Sequence, residues 1–339
     1  MNPQERMAAT NLPAREGKQA AVSTLAAAAA VFLLLIAGFW YEAQQLSLIR
    51  SLGAAAVPAF GSFALLLAPL WFFAFGVAEP LRAALRSNVA RMLIPATLAA
   101  PYLLFSLPQH QFQPAYFVAL ALLPVALAAL LAPAREQRLL WQDVVALLVL
   151  ALTLELRLLS GAWPQHGLGS IPKLYLADVA LYLYLIVRPV EGMGYSFRPR
   201  ASAFLIGARE WLFFLPIALG LGFALGFIRF YPRAHSIAHI AAGVLVTFLL
   251  TAVPEELFFR GILQNLLEPI AGRVRALAIT SFLFGLSHFH KGAAFNWRYV
   301  ILAAIAGVFY GRAWRARRQL LASSITHTAV DVVWSLWFR

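Results

Sequence analysis

Residues 21–40 read AVSTLAAAAAVFLLLIAGFW, and this stretch decides the fold class. No ionisable side chain interrupts it. A helix of about 20 apolar residues, rising 1.5 Å per residue, crosses the roughly 30 Å hydrocarbon core of a bilayer. The run is solid rather than alternating, and alanine and leucine dominate over β-branched residues. It therefore predicts a membrane helix rather than a strand of a membrane barrel.

Apolar runs of similar length recur along the rest of the chain. Hydrophobic residues make up 62% of the sequence and charged residues 12%, whereas a soluble domain carries about 25% charged residues. We therefore predict an all-α, polytopic integral membrane bundle of about eleven transmembrane helices. The predicted spans are 21–40, 53–78, 89–107, 114–132, 139–159, 172–187, 210–228, 236–267, 275–290, 297–311 and 318–338. The eighth is longer than one crossing requires and is expected to tilt or bend near Pro254.

Basic residues are concentrated in every second connection between these spans. Those connections and the N-terminal tail hold 19 Lys and Arg residues, and the opposite set holds 7. Because Lys and Arg are retained on the cytoplasmic side, we expect a cytoplasmic N-terminus, in a bacterial inner membrane. The net charge of +13 then reflects topology and contact with anionic lipid headgroups, and no nucleic-acid partner is expected. The polar tail before the first span predicts that no signal peptide is cleaved.

A segment rich in Gly, Pro and Arg divides the chain in two. We predict a cytoplasmic polar tail over residues 1–20, a six-span bundle over 21–190, a linker over 191–209 and a five-span domain over 210–339. The six-span bundle contains little internal polarity, and the sequence indicates no role for it. The five-span domain holds nearly all of the ionisable residues predicted at membrane depth. The oligomeric state does not follow from the sequence.

Ionisable side chains crowd into three of the last four predicted spans. Each costs about 2.5–3.5 kcal/mol or more at the centre of a bilayer, so they must face one another or a solvated cavity. Counted from the cytoplasmic turn near residue 270, the acidic and histidine positions on the three spans lie at similar depths of roughly 14–20 Å. We therefore predict that they share one cavity. The residues are Glu255, Glu256 and Arg260, then His288, then His327 and Asp331.

The spacing of these residues indicates local pairs. Glu256 and Arg260 stand four residues apart, which places them on one helix face as an ion pair. Glu255 points about 100° away from Glu256, toward a different neighbour. The ring of Phe284 stands four residues before the histidine of the ninth span and is expected beside its imidazole.

Three short motifs carry these residues: PEELFFRG at 254–261, FGLSH at 284–288 and THTAVD at 326–331. In order and spacing they resemble the Glu-Glu-x-x-x-Arg, Phe-x-x-x-His and His-x-x-x-Asn or Asp motifs of the CPBP intramembrane proteases. That family contains the type II CAAX prenyl endopeptidases and bacteriocin-processing or self-immunity proteins. The resemblance covers residues 236–339 and does not extend to the first six predicted spans.

The resemblance implies a water-activating pair and an oxyanion-stabilising pair. Glu255 and His288 would activate a water as general base, and His327 and Asp331 would stabilise the tetrahedral intermediate. Asn at the last position donates a hydrogen bond to an oxyanion. Asp331 does so only when protonated, and otherwise it would orient His327. The residues implied to be structural or substrate-positioning are Glu256, Arg260 and Phe284.

The resemblance favours an endopeptidase that needs no metal or other cofactor. One glutamate and two histidines also suffice to bind zinc, so a zinc protease stays open as an alternative. The expected partners are membrane lipid and a membrane-anchored or lipidated peptide or protein, cleaved from the cytoplasmic-facing part of the bilayer. Two other functions stay open: a non-catalytic membrane scaffold or bacteriocin-immunity-type protein, and a transporter, since intramembrane carboxylates also serve proton relays.

Ionisable residues outside the motifs are interpreted as structural. Glu155, Arg157 and Asp178 are examples within the predicted spans. Lys291 is expected to extend its ammonium group to the outer membrane interface.

Overall fold

The computed structural model describes residues 3–164, 167–292 and 295–338, with side chains from residue 22 onward. Over this part of the chain the protein is all-helical and contains twelve helices and no β-strand. Here the one pairing of extended backbone is an isolated bridge between Phe230 and Phe338. The predicted all-α fold class is confirmed.

Each of the predicted spans corresponds to one helix, and a short additional helix follows the second span. The helices are α1 (Pro3–Gln45), α2 (Leu48–Phe73), α3 (Ala78–Ala84), α4 (Asn88–Ser106), α5 (Pro114–Leu131), α6 (Trp141–Glu155), α7 (171–187), α8 (Ala201–Ala224), α9 (Ile237–Ala271), α10 (Arg273–Leu286), α11 (Trp297–Arg317) and α12 (Leu320–Trp337). Helices α2 and α4 include 3₁₀ turns, and α7 and α9 include π-helix.

Six helices of the described chain are long and apolar enough to cross a membrane: α1 from Val22 onward, α2, α4, α5, α8 and α9. The chain is therefore a polytopic helical membrane protein. Helices α6, α7 and α10 are shorter than these, and α11 and α12 carry many of the basic and polar side chains. The number of crossings stays a prediction, as does the side of the membrane on which the N-terminus lies.

Helix α7 forms the centre of the N-terminal half. Every residue from Leu174 to Tyr184 is buried, including Asp178, because α2, α4, α5 and α6 surround the helix. Just after its end, Arg188 forms a buried ion pair with Asp143 of α6 at 2.9 Å. This pair joins two neighbouring helices at one end of the half.

The helices of the C-terminal half approach one another at glycines. At Gly285 of α10, an added Cβ would lie 2.6 Å from the carbonyl oxygen of Val300 and 2.7 Å from Cβ of Ala304 on α11. At Gly207 of α8, an added Cβ would lie 2.7 Å from the side chain of Ile325 on α12. A larger residue at Gly285 would push α10 away from α11, and one at Gly207 would push α8 away from α12.

Helix α8 begins at Ala201, earlier than the predicted start of the seventh span at residue 210. The later part of the predicted linker is therefore helical, because its apolar side chains, such as Ala203 and Ile206, are buried and continue the helix. Residues 191–200 contain no helix. The division of the chain into two domains stays a prediction.

Helix α6 ends at Glu155, earlier than predicted. Arg157 follows in a turn with φ 53°, a left-handed conformation that ends the helix. The predicted span is therefore too long at its end: Glu155 is the last residue of the helix, and Arg157 lies outside it. Glu155 lies at a helix end, close to the residues of the site described below.

Helix α9 changes helix type twice near its middle. The π-helical segments Phe248–Ala252 and Leu257–Gln264 flank the α-helical turn Val253–Glu256. Pro254 lies in that turn and has no N–H to donate to the preceding turn, so regular α-helical bonding is interrupted there. Such π-segments are frequent at functional sites. The sequence predicted a tilt or bend near Pro254, and the structure shows a change of helix type there. The two acidic motif residues lie on the α-helical turn between the π-helical segments.

Candidate active site

The residues of the three motifs lie close together, although they come from three helices. They are Glu255, Glu256 and Arg260 on α9, Phe284 on α10, His288 directly after α10, and His327 and Asp331 on α12. Apart from Asp331, whose side chain is 28% exposed, each is at most 12% exposed. These polar groups therefore face one another within the bundle.

Glu256 is completely buried and accepts three hydrogen bonds. Its Oε1 lies 2.9 Å from Arg260 Nη1 and 2.8 Å from His327 Nδ1, and its Oε2 accepts from the hydroxyl of Ser323. The ion pair predicted from the four-residue spacing is confirmed. We call Glu256, Arg260, His327 and Ser323 the Glu256 network. Because the carboxylate faces Nδ1, it orients the imidazole and leaves Nε2 to face the rest of the site.

Arg260 is completely buried and is surrounded by compensating partners. Its Nη2 donates to the carbonyl oxygen of Gly307 at 2.9 Å. Its guanidinium carbon lies 4.5 Å from the ring centroid of Phe284 and 5.4 Å from that of Tyr310. Burial of a cation is costly unless it is paired and hydrogen-bonded, and aromatic faces add attraction. These contacts indicate a structural role.

Glu255 points away from the Glu256 network, as its position one residue earlier predicts. Its Oε1 lies 2.6 Å from Lys173 Nζ and 3.7 Å from Lys291 Nζ. Its other oxygen, Oε2, lies 3.8 Å from His327 Nε2. The two oxygens therefore have different surroundings: lysines hold one of them, and the other faces an imidazole. We call Glu255 with Lys173, Lys291 and His327 the Glu255 environment.

Asp331 lies beside the nitrogen of His327 that faces the site. Its Oδ2 is 3.4 Å from Nε2. The sequence leaves open whether Asp331 orients His327 or stabilises an oxyanion. Because Glu256 already holds Nδ1 at 2.8 Å, the ring is oriented from that side, and Asp331 lies beside the nitrogen that Glu256 does not contact.

His288 is held by its own helix end. Its Nδ1 lies 2.8 Å from the carbonyl oxygen of Phe284 and 3.2 Å from the hydroxyl of Ser287. The rings of Phe284 and Tyr299 lie 4.8 Å and 4.7 Å from its own, so the aromatic neighbour predicted at Phe284 is confirmed. Among the described residues the hydrogen-bond partners of the His288 ring are Ser287 and the carbonyl oxygen of Phe284, and Glu255 is not one of them.

A cavity of about 90 Å³ adjoins the two histidines. Its polar lining comes from His288, Tyr299, Tyr310, His327 and Asp331, and the rest is apolar and comes mainly from α8, α11 and α12. About 10–15 Å³ of this space is enough to hold one water, so the cavity has room for a water beside an apolar group. Of the six ionisable residues predicted to share one cavity, His288, His327 and Asp331 line this one, whereas Glu255, Glu256 and Arg260 do not.

Sequence reasoning did not anticipate several contacts of the site. Ser323 stands four residues before His327, a helical spacing that would have predicted its position. Lys291 was expected at the membrane interface, and it is 46% exposed but also lies near Glu255. Lys173 lies at the start of α7 in the other half of the chain, and no sequence pattern connects it with the motifs.

A comparison with protein-family models matches the part of the chain that contains this site. Residues 237–333 match the family model described as Type II CAAX prenyl endopeptidase Rce1-like. No curated protein and no solved structure matches the chain significantly. The matched segment contains all three motifs and lies within residues 236–339, where the sequence resembles the CPBP proteases. The catalytic roles of the individual residues stay predictions. In its C-terminal part, this integral membrane protein carries an Rce1-like domain of the CPBP intramembrane protease family.

Proposed function

We propose that the protein is a glutamate-dependent intramembrane endopeptidase that hydrolyses a peptide bond of a membrane-associated substrate. The observation that carries the proposal is the position of Glu255. Its Oε2 faces His327 Nε2 at 3.8 Å, next to a cavity lined by His288, His327 and Asp331. The family match indicates a CAAX-type protease in general.

The reaction assigns a separate task to each group. A water between Glu255 and His288 attacks the scissile carbonyl carbon while Glu255 takes its proton. In this mechanism His327 Nε2 donates a hydrogen bond to the developing oxyanion, and Asp331 does so in its protonated form. When the carbon–nitrogen bond breaks, the proton passes from Glu255 to the leaving amine. One water is consumed, and a carboxylic acid and an amine are released.

The other motif residues support these groups. Glu256 fixes the ring of His327, Arg260 neutralises Glu256, and Phe284 lies against Arg260 and both histidines, with ring centroids 4.8 Å and 5.6 Å from the imidazoles. Catalytic side chains have to be held in place by packing and hydrogen bonds of this kind.

The substrate proposed here is anchored in lipid or carries a lipid group. The cavity wall is mostly apolar, which suits a substrate segment that is itself apolar. His288 lies just beyond the end of α10 that is farther from the basic turn near residue 272. Cleavage from the cytoplasmic-facing part of the bilayer stays a prediction.

Zinc is the main alternative for the chemistry. Among the described residues, no group of three His, Asp or Glu side chains is arranged as ligands of one metal ion. We propose the metal-free mechanism, in which cleavage persists after treatment with phenanthroline. Loss of cleavage that zinc restores would replace it with the zinc mechanism.

The proposal is tested with purified protein in liposomes and a prenylated CAAX reporter peptide. Glu255→Gln and His288→Ala should each abolish cleavage while the proteins remain folded. Glu79→Gln, at an exposed position of α3, is the matched control and should cleave at the wild-type rate. Comparison of membrane peptidomes from cells with wild type and Glu255→Gln then identifies natural substrates.

Full activity of Glu255→Gln would exclude Glu255 as the base. If the wild type cleaves neither the reporter nor any membrane peptide, while function falls in step with stability across variants, the protein is a scaffold and the proposal fails.

A further inference from the structure

The N-terminal half contacts the site through Lys173. This residue lies in the first turn of α7, and its Nζ donates to Glu255 Oε1 at 2.6 Å. Its side chain is 19% exposed, against 46% for Lys291. Charge-assisted hydrogen bonds are stronger where water is excluded. Of the two lysines, Lys173 is therefore the one that holds the carboxylate.

We propose that Lys173 is a positioning residue for Glu255, and that the N-terminal bundle completes the active site by supplying it. The inference rests on the proposed function, because it takes Glu255 as the general base. It assigns a role to the six leading spans, for which no sequence pattern indicates one.

The division of the Glu255 oxygens supports this role. A general base needs one oxygen available to the water, in a fixed direction. Lys173 holds Oε1, which turns Oε2 toward His327 at 3.8 Å. An ammonium at 2.6 Å also stabilises the negative charge that the base must carry before it accepts a proton.

The surrounding charges explain why Lys291 does not replace Lys173. Glu155, at the end of α6, interacts electrostatically with both lysines and with Glu255. These four side chains comprise two carboxylates and two ammonium groups, so their charges cancel. Without Lys173, one half-exposed lysine at 3.7 Å would remain for both carboxylates, and Glu255 would lose its fixed direction.

The contact crosses the boundary of the family match. Lys173 lies 82 residues before Glu255 and outside residues 237–333. The segments around the two residues also pack directly, since the turn Val253–Glu256 contacts α7. The matched segment therefore contains the motifs but lacks one of the groups that hold the base.

The test compares variants of the full-length protein in liposomes with the prenylated reporter peptide. Lys173→Met should lower kcat by about 10- to 100-fold, as expected when a reactive group is displaced by about 1 Å, with KM changed less than threefold. Lys173→Arg keeps the charge and should recover at least part of kcat. Lys291→Met, the matched control on the same oxygen, should lower kcat less than Lys173→Met.

If Lys173 only stabilised the fold, Lys173→Met would keep the wild-type kcat per folded molecule. That result, or a Lys173→Arg protein no more active than Lys173→Met, overturns the inference. If Lys173→Met does not accumulate, Lys173→Gln tests the same loss of charge. Glu255→Gln is measured in parallel: if it cleaves, the proposed function fails, and if it does not while Lys173→Met is fully active, this inference alone fails.

Discussion

Glu255 and Glu256 are adjacent residues of one helix, yet their surroundings are opposite. Glu256 is completely buried, and the Glu256 network satisfies both of its oxygens. Glu255 is 12% exposed, and one of its oxygens faces His327 across 3.8 Å without a hydrogen bond. A rotation of about 100° along the helix thus separates a carboxylate with hydrogen bonds to both oxygens from the one that we propose as the general base.

The two carboxylates also draw on different parts of the fold. The Glu256 network joins α9 to α12, with Arg260 reaching α11 through Gly307. The Glu255 environment includes Lys173 from the N-terminal half. The stability that the Glu256 network provides therefore depends on contacts within the C-terminal half, whereas orientation of the proposed base depends on both halves. The following variants test this separation.

The largest effect on stability is expected from Glu256→Gln. The change leaves the buried Arg260 without its counter-charge and should lower the free energy of unfolding by about 3–5 kcal/mol. Denaturant unfolding in detergent measures this. Glu255→Gln, the same substitution one residue away, is the control and should unfold close to wild type. Equal losses in the two variants would remove the distinction between the carboxylates.

Removal of both charges from the Glu256 network should cost less than the sum of the single changes. In Glu256→Gln combined with Arg260→Met, no unpaired buried charge remains. We expect a coupling energy of about 0.5–3 kcal/mol in a double-mutant cycle, measured by the same unfolding assay. Additive losses would show that the two side chains act independently.

A smaller loss is expected from Gly307→Ala, which leaves all charges in place. Its added Cβ would lie 3.1 Å from Arg260 Nη2 and 3.1 Å from Cα of Ser281. Overpacking of this kind should lower the free energy of unfolding by about 1–3 kcal/mol. Gly220→Ala in α8 has nothing within 4 Å of its added Cβ and should be neutral or slightly stabilising. A larger loss of stability in Gly220→Ala than in Gly307→Ala would contradict the close packing around Arg260.

The smallest effect is expected from Asp331→Asn. Glu256 rather than Asp331 orients His327, so the amide preserves the ring position, and its N–H₂ group donates to an oxyanion. Cleavage of the reporter peptide should stay within about tenfold of wild type, or about 1.4 kcal/mol. A loss as large as that of Glu255→Gln would show that Asp331 acts through its negative charge, as a second base.

Local patterns accounted for much of the fold and for part of the site. Apolar run length predicted a helix for each span, and four-residue spacing predicted both the Glu256–Arg260 pair and the ring of Phe284 beside His288. Helix ends were less accurate, as at Glu155, because helix termination depends on single backbone conformations such as the positive φ at Arg157.

By itself, the sequence determined that this is a helical membrane protein and which ionisable residues are grouped in motifs, because both follow from composition and from spacing along one helix. The tertiary structure decided which oxygen of Glu255 is free, that Glu256 rather than Asp331 orients His327, and that Lys173 reaches the site. Those properties depend on contacts between residues as far apart as 82 positions. Such contacts form only when separate helices pack, and no periodicity within a single segment encodes them.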